Sequence, residues 1–280
     1  MFERGKSVDR RTVKRFEDAL ARALSEVVLN LRSDLGRDPT DVEIVDAIRS
    51  YPWDEMLEAP VGDIFADSGS TIVEAAGSKA WARAGWTGAF NVDNPYSRTF
   101  LRKHGADLVT GLSAESKRAL RLVMERSFRE GIDVRRRARL IENVVGLDRR
   151  GAANLASLES ALAEKGARDI EGKLARRRKK LIRRRAMNIS RTEATNAHAQ
   201  GVWDSWRSAD DQMFLGPSPH KRWIAGLGQR TCKVCRELHG QEVPLRSPFW
   251  SSVLNRYVDR PAAHPACRCQ MGLTFPDARS

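Results

Sequence analysis

Residues 172–206 read GKLARRRKKLIRRRAMNISRTEATNAHAQGVWDSW, and the helical character of this stretch sets the class of the whole chain. Leu174, Leu181, Ile182, Ala186 and Ile189 give one long helix a buried side, and the pattern continues through Ser190-Arg191-Thr192-Glu193-Ala194 to about Trp206. Ten basic residues and no acid lie between Gly172 and Thr192: Lys173, Arg176, Arg177, Arg178, Lys179, Lys180, Arg183, Arg184, Arg185 and Arg191. Without them the formal net charge of the chain would fall from +13 to +3. Such a run is either the solvated face of a helix or a stripe that faces phosphates. The second reading makes double-stranded DNA a partner whose affinity falls by roughly 10³–10⁵ between 50 and 200 mM salt when six to ten phosphates are neutralised. No base-reading module accompanies the run, so contact would be to the backbone.

Upstream, further helices are expected. Phe16, Leu20, Leu24, Val27 and Leu31 form one apolar stripe on a helix ending near Gly36, and Thr40-Asp41-Val42-Glu43 reads as a capping box that starts a short helix before Pro52. Residues 70–84 read as helical pieces joined by loops, with Trp53, Trp81, Trp86 and Phe90 as packing anchors. Ser113 is expected to cap a helix carrying Leu120, Val123, Met124 and Phe128, which Gly131 ends. Two more run from Asp133 to about Val145 and on to Gly166, the last bearing Leu155, Leu158 and Leu162.

Downstream the texture changes, with seven of the 11 prolines in the last 64 residues and Lys221–Ala225 as the best strand. The expected fold is mainly α, an elongated helical array with a small α+β subdomain at its C-terminal end. The expected divisions are 1–90, 91–211 and 212–280.

The whole-chain balance fits this picture. Forty-nine Lys and Arg against 36 Asp and Glu favour a polyanionic partner, and 41% hydrophobic residues over 280 positions suffice for one or two cores. Collagen-like, mucin-like and disulfide-miniprotein classes are excluded on composition. No apolar run near 18 residues predicts a membrane span, and no secretory signal is expected at the start, so the expectation is a soluble protein made in a reducing cytoplasm with no membrane partner.

All four cysteines fall between 232 and 269. Cys232-Lys233-Val234-Cys235 is a knuckle that presents two thiolates to one tetrahedral ion, and His264, Cys267 and Cys269 offer a second set. The candidates for structural zinc are Cys232, Cys235, His264, Cys267 and Cys269, with His239 a further nitrogen; more donors are present than four positions need. Free thiols and disulfides are the competing readings. A phosphate-cradling P-loop, a serine-hydrolase elbow and a His-Glu-x-x-His site are all absent from the sequence.

The order Arg191-Thr192-Glu193-Ala194, Trp223, Arg230-Thr231-Cys232-Lys233-Val234-Cys235, His239-Gly240 and Pro261-Ala262-Ala263-His264-Pro265-Ala266-Cys267-Arg268-Cys269 closely resembles the phage Mu F-like minor head protein family. Asn94-Pro95, Gly111-Leu112-Ser113, Gly131 and Gly146-Leu147 extend the likeness over about residues 90–275. The chain has Ala262, Ala263 and Ala266 where the family commonly has a second Pro and an Asn. The resemblance implies a low-copy structural protein of tailed phages, lying inside the head near the portal. Its implied partners are the portal protein, major capsid or scaffold protein and double-stranded DNA. It implies no settled enzymatic activity, and a chain ending eleven residues after Cys269 is expected to carry no fused effector. Docking would use the N-terminal amphipathic helix or aromatics near Trp81 and Trp86. The rivals are a nuclease or a nucleotidyl- or ADP-ribosyl-transferring domain built on Arg191, Glu193 and His264, and a bacterial DNA-binding regulator.

Overall fold

The structure, a computed structural model, describes residues 9–35, 39–144, 146–229 and 231–276. The expected helix ends at Gly36 and Val145, and Arg230 of the motif block, lie outside the described residues. The fold is mainly α, with eight α-helices and five short strands among the described residues. The helices are α1 (Arg10–Leu35), α2 (Asp41–Ser50), α3 (Ala59–Arg83), α4 (Pro95–Arg129), α5 (Val134–Val144), α6 (Arg149–Glu164) and α7 (Ile170–Asp211), with a π-helical turn at Asp54–Glu58 before α3. The C-terminal part holds β1 (His220–Ile224), α8 (Lys233–Leu238), β2 (Glu242–Pro244), β3 (Phe249–Ser251), β4 (Arg256–Val258) and β5 (Gln270–Thr274). The chain forms two compact units. One comprises Phe16–Ile64 and Gly105–Met187, and the other comprises the described residues of Met1–Arg15, Phe65–His104 and Asn188–Ser280.

The first unit is helical and closes around the stripe read from the sequence. Phe16, Leu20, Leu24, Val27 and Leu31 are all buried, as are Leu120, Val123, Leu140, Ile141, Leu155, Leu174 and Ile182. The Thr40 capping box is formed: the Thr40 hydroxyl accepts from the Glu43 N–H at 3.3 Å, and the Glu43 carboxylate accepts from the Thr40 N–H at 2.6 Å. The Thr40 N–H, and then the Thr40 hydroxyl donating at 2.8 Å, hold the Glu43 carboxyl below its usual range. Gly146 adopts φ +78°, and a Cβ there would stand 2.4 Å from the Leu24 carbonyl oxygen, so both conformation and space require glycine.

The structure departs from three of the expectations. Ser113 caps nothing, because α4 runs unbroken from Pro95 to Arg129. Leu112 and Ser113 are buried, and Asn94 caps the helix instead, its side chain accepting from the Ser97 N–H at 2.9 Å with proline at the first helical position. Phe128 lies outside the core, half exposed, with the Arg137 guanidinium 3.9 Å over its ring. The pieces at 70–84 belong to one helix that begins at Ala59, since burial of Val61, Phe65, Ile72 and Val73 holds a glycine-containing segment helical.

In the second unit α7 passes α3 closely enough that a Cβ on Gly201 would lie 2.2 Å from the Val73 carbonyl oxygen. The small α+β part follows. β1 is central in a three-stranded antiparallel sheet of order β2-β1-β5, and β3 pairs with β4 in a separate hairpin. Trp223, Leu238 and Phe249 fill its core together with Cys235, Cys267 and Cys269. The Trp203 indole on α7 donates to the Leu245 carbonyl at 2.8 Å. Lys221 is fully buried; its ammonium donates to the Asp259 carbonyl at 2.7 Å and lies 3.8 Å over the Trp203 ring. Trp81 is also buried and Trp86 is partly covered, while Phe214, edge-on to Trp81, is exposed.

Candidate metal centre

The knuckle is built at the start of α8. Cys232 occupies the position before the helix, and its sulfur accepts from the Cys235 N–H at 3.4 Å. That single turn points both sulfurs the same way. The loop between β4 and β5 brings the second set: His264 Nε2 lies 3.1 Å from Cys232 Sγ and 3.0 Å from Cys235 Sγ, and Cys235 Sγ lies 3.8 Å from Cys267 Sγ. Two metal-capable triads therefore share Cys235, one being Cys232, Cys235 and His264 and the other Cys235, Cys267 and Cys269. The edges of a tetrahedron with zinc–sulfur bonds of about 2.3 Å are about 3.8 Å long, the spacing found between Cys235 and Cys267. His264 Nδ1 donates to the Pro265 carbonyl at 2.8 Å, which leaves Nε2 with its lone pair turned toward the sulfurs.

The surroundings treat the thiols unequally. The Trp223 indole N–H is buried with no hydrogen-bond acceptor, and its influence on the Cys269 thiol is to lower it against the stronger raising effects. Hydrogen bonding from Cys269, then from backbone N–H groups and the nearby His264, brings the Cys267 thiol down to about 5. Burial pushes the Cys235 thiol up to about 12, and the Cys267 hydrogen bond with burial raises Cys269. A cation among these sulfurs would remove the penalty that burial places on their charged forms. His239 belongs to neither triad: its Nδ1 accepts from the Ala225 N–H at 3.1 Å, and the Gly240 N–H donates to the Trp223 carbonyl, so the His239-Gly240 pair closes the turn beside β1.

The Arg191-Thr192-Glu193 motif lies against this loop. Thr192 Oγ1 accepts from the Ala266 N–H at 2.9 Å while donating to the Asn188 carbonyl at 2.7 Å, and Asn196 Oδ1 accepts from the Ala262 N–H at 2.8 Å. Thr195 Oγ1 is 3.2 Å from the Cys267 carbonyl. Glu193 is buried 2.5 Å from His104 Nε2 and accepts from Asn196 Nδ2 at 3.2 Å. Arg191 is exposed and His264 sits on the thiols, so Arg191, Glu193 and His264 are engaged in three different arrangements. His104, Thr195 and Asn196 escaped the sequence reading. Thr195 and Asn196 had a signal, since with Thr192 they fall at i, i+3 and i+4 on one helix face. His104, 89 residues from Glu193, had none.

Of the basic run on α7, Lys173, Arg176, Arg177, Lys179, Lys180, Arg183 and Arg184 are exposed and Arg178 is half-buried. Lys173, Arg177, Lys180 and Arg184 follow steps of four, three and four residues along one line, about 16 Å long at helical rise. Arg185 does not join them. It is buried in the helical unit, donating to the Gly146 carbonyl at 2.7 Å and the Glu115 carboxylate at 2.8 Å, because the same periodicity that exposes its neighbours turns position 185 inward.

A small, loop-rich Cys/His subdomain thus follows the long helix α7, with five metal-capable side chains gathered from a knuckle and a distant loop. The chain belongs to the family described as Phage Mu protein F like protein, whose model matches residues 118–272. That span takes in the basic stripe, the Thr192 motif and all five metal-capable residues. No curated protein and no solved structure matches the chain. Among the described residues no helix is long and apolar enough to cross a membrane.

Proposed function

We propose that this protein is a minor capsid protein of a tailed phage, installed at the portal vertex inside the head, where it contacts packaged DNA. The observation that carries the reading is the family match over residues 118–272, which joins a phage head morphogenesis family to an acid-free cationic helix face in the same chain. Seven exposed cations between Lys173 and Arg184 supply sequence-independent attraction to phosphates and need no base contact. The portal protein and the capsid or scaffold lining are the protein partners in this reading, and the role is structural, not enzymatic.

Zinc is the metal that the donor set favours, since buried thiolates and one imidazole are its usual structural ligands. When bound it would tie the α8 knuckle to the 261–269 loop and contribute on the order of 10 kcal/mol of folding energy to a subdomain with a small core. Four of Cys232, Cys235, His264, Cys267 and Cys269 would hold it.

The test is quantitative mass spectrometry of purified particles and of DNA-free procapsids, counting this chain against the portal and major capsid proteins. A few to a few tens of copies in both supports a head protein installed before packaging. Absence from both refutes the reading.

A further inference from the structure

The Thr192 motif is not part of the donor set, yet its side chains are committed to the loop that carries three of the five donors. We infer that Thr192 and Asn196, seconded by Thr195, are positioning residues that hold the 261–269 loop in its metal-binding conformation. On this account the Arg-Thr-Glu segment of α7 is the outer half of the metal centre. The inference rests on the zinc reading above.

The geometry is specific to that role. The loop has no strand pairing between Val258 and Gln270 to fix it, so its backbone N–H groups must find other acceptors. Two of them do so on α7, the Ala262 N–H on Asn196 Oδ1 and the Ala266 N–H on Thr192 Oγ1. These anchors bracket His264, and the second directly precedes Cys267. Each anchor is itself oriented. The Thr192 hydroxyl spends its proton on the Asn188 carbonyl, which leaves its lone pairs for Ala266. The Asn196 amide is turned by the Glu193 carboxylate, which takes its N–H and so directs the oxygen at Ala262. Glu193 in turn is held by His104, whose ring stacks on Phe100 at 4.9 Å. A relay of oriented groups thus runs from α4 through α7 to the loop bearing the donors. Partners of this kind around a metal site set ligand orientation, and their loss weakens metal affinity by roughly 10–100-fold.

The experiment uses the full chain, stripped with a chelator and titrated with Co²⁺, whose thiolate charge-transfer absorption reports binding, followed by Zn²⁺ competition. Thr192→Val is isosteric and removes the acceptor; Asn196→Ala removes the other; Thr192→Ser retains the hydroxyl. The expected result is a 10–100-fold weaker Co²⁺ affinity for each of the first two and near wild-type affinity for Thr192→Ser. A second readout follows the loop itself. In the zinc-loaded protein the Ala262 and Ala266 amides exchange hydrogen faster in Asn196→Ala and Thr192→Val respectively, with far-UV circular dichroism unchanged. Wild-type affinity in both variants overturns the positioning role while leaving the zinc reading intact. A wild-type chain that takes up no Co²⁺ overturns the zinc reading and the inference with it.

Discussion

Replacing Gly201 by alanine isolates how closely α7 approaches α3. In an exposed helix the change would stabilise by about 1 kcal/mol, because alanine is the better helix former. At position 201 the new methyl would meet the Val73 carbonyl oxygen at 2.2 Å and the Val73 Cα at 3.0 Å. Both are backbone atoms, so no rotamer change relieves the contact. The helices must part by about 1 Å, which costs about 2–4 kcal/mol in overpacking and lost contact around buried Val73, and the net is a destabilisation of about 1–3 kcal/mol. Gly111→Ala is the control, since a Cβ there has no heavy atom within 4 Å, and it should stabilise by about 1 kcal/mol. Urea unfolding followed by circular dichroism and by tryptophan fluorescence measures both, Trp203 and Trp206 lying within two turns of the site. A Gly201→Ala protein as stable as wild type would refute the close helix approach and the reasoning built on it.

Burial lowers the Lys221 ammonium from its ordinary 10.5 to about 7, the nearby Asp259 offsetting part of that and Arg207 and Arg260 adding to it. Between those values the unfolded chain binds the proton that the folded chain has lost, so stability should rise with pH, by up to about 4 kcal/mol from pH 7 to 10. Lys221→Met should flatten that slope in thermal melts, and an unchanged slope would show that Lys221 is not its source. Replacing Lys173, Arg177, Lys180 and Arg184 with Gln should weaken duplex DNA binding and lower the slope of log affinity against log salt by about 3–4; anisotropy titrations with an unaltered slope would remove this face from the DNA reading. Metal analysis of protein purified without a His-tag should find close to one zinc per chain, and a content below about 0.2 would exclude a structural role.

Much of the helical framework was legible because it rests on local signals. The α1 stripe, the Thr40 cap and the α7 periodicity each declare themselves within a few turns, and all three are formed. Ser113 misled for the same reason: it has the chemistry of a cap, but burial of Leu112 and Ser113 outweighs a local preference worth about 1 kcal/mol. The cysteines and His264 could be gathered from spacing, since a knuckle has a fixed geometry. Which histidine was in excess could not, and it is the folded geometry that keeps His239 out of both triads, its Nδ1 turned to the Ala225 N–H. Lys221 and His104 were invisible for a deeper reason. Nothing within several residues marks a lysine that will lie over a tryptophan from another element, or a histidine that will meet a glutamate on a distant helix.

The inward turn of Arg185 changes how the basic run must be dissected. A scan that neutralises every cation from Lys173 to Arg185 would mix two failures, loss of attraction for a polyanion and collapse of the helical unit. Removing Arg185 alone strands the Gly146 carbonyl, while the half-exposed Glu115 carboxylate returns to water, a loss of about 1–3 kcal/mol by the measure of a buried acceptor left unpaired. Lysine would not rescue it, because a single ammonium cannot span the two acceptors that the guanidinium fork reaches. Within a stretch that looks uniform by letter, one arginine answers to the interior, and its phenotype belongs with those of Leu174 and Ile182 rather than with those of its neighbours.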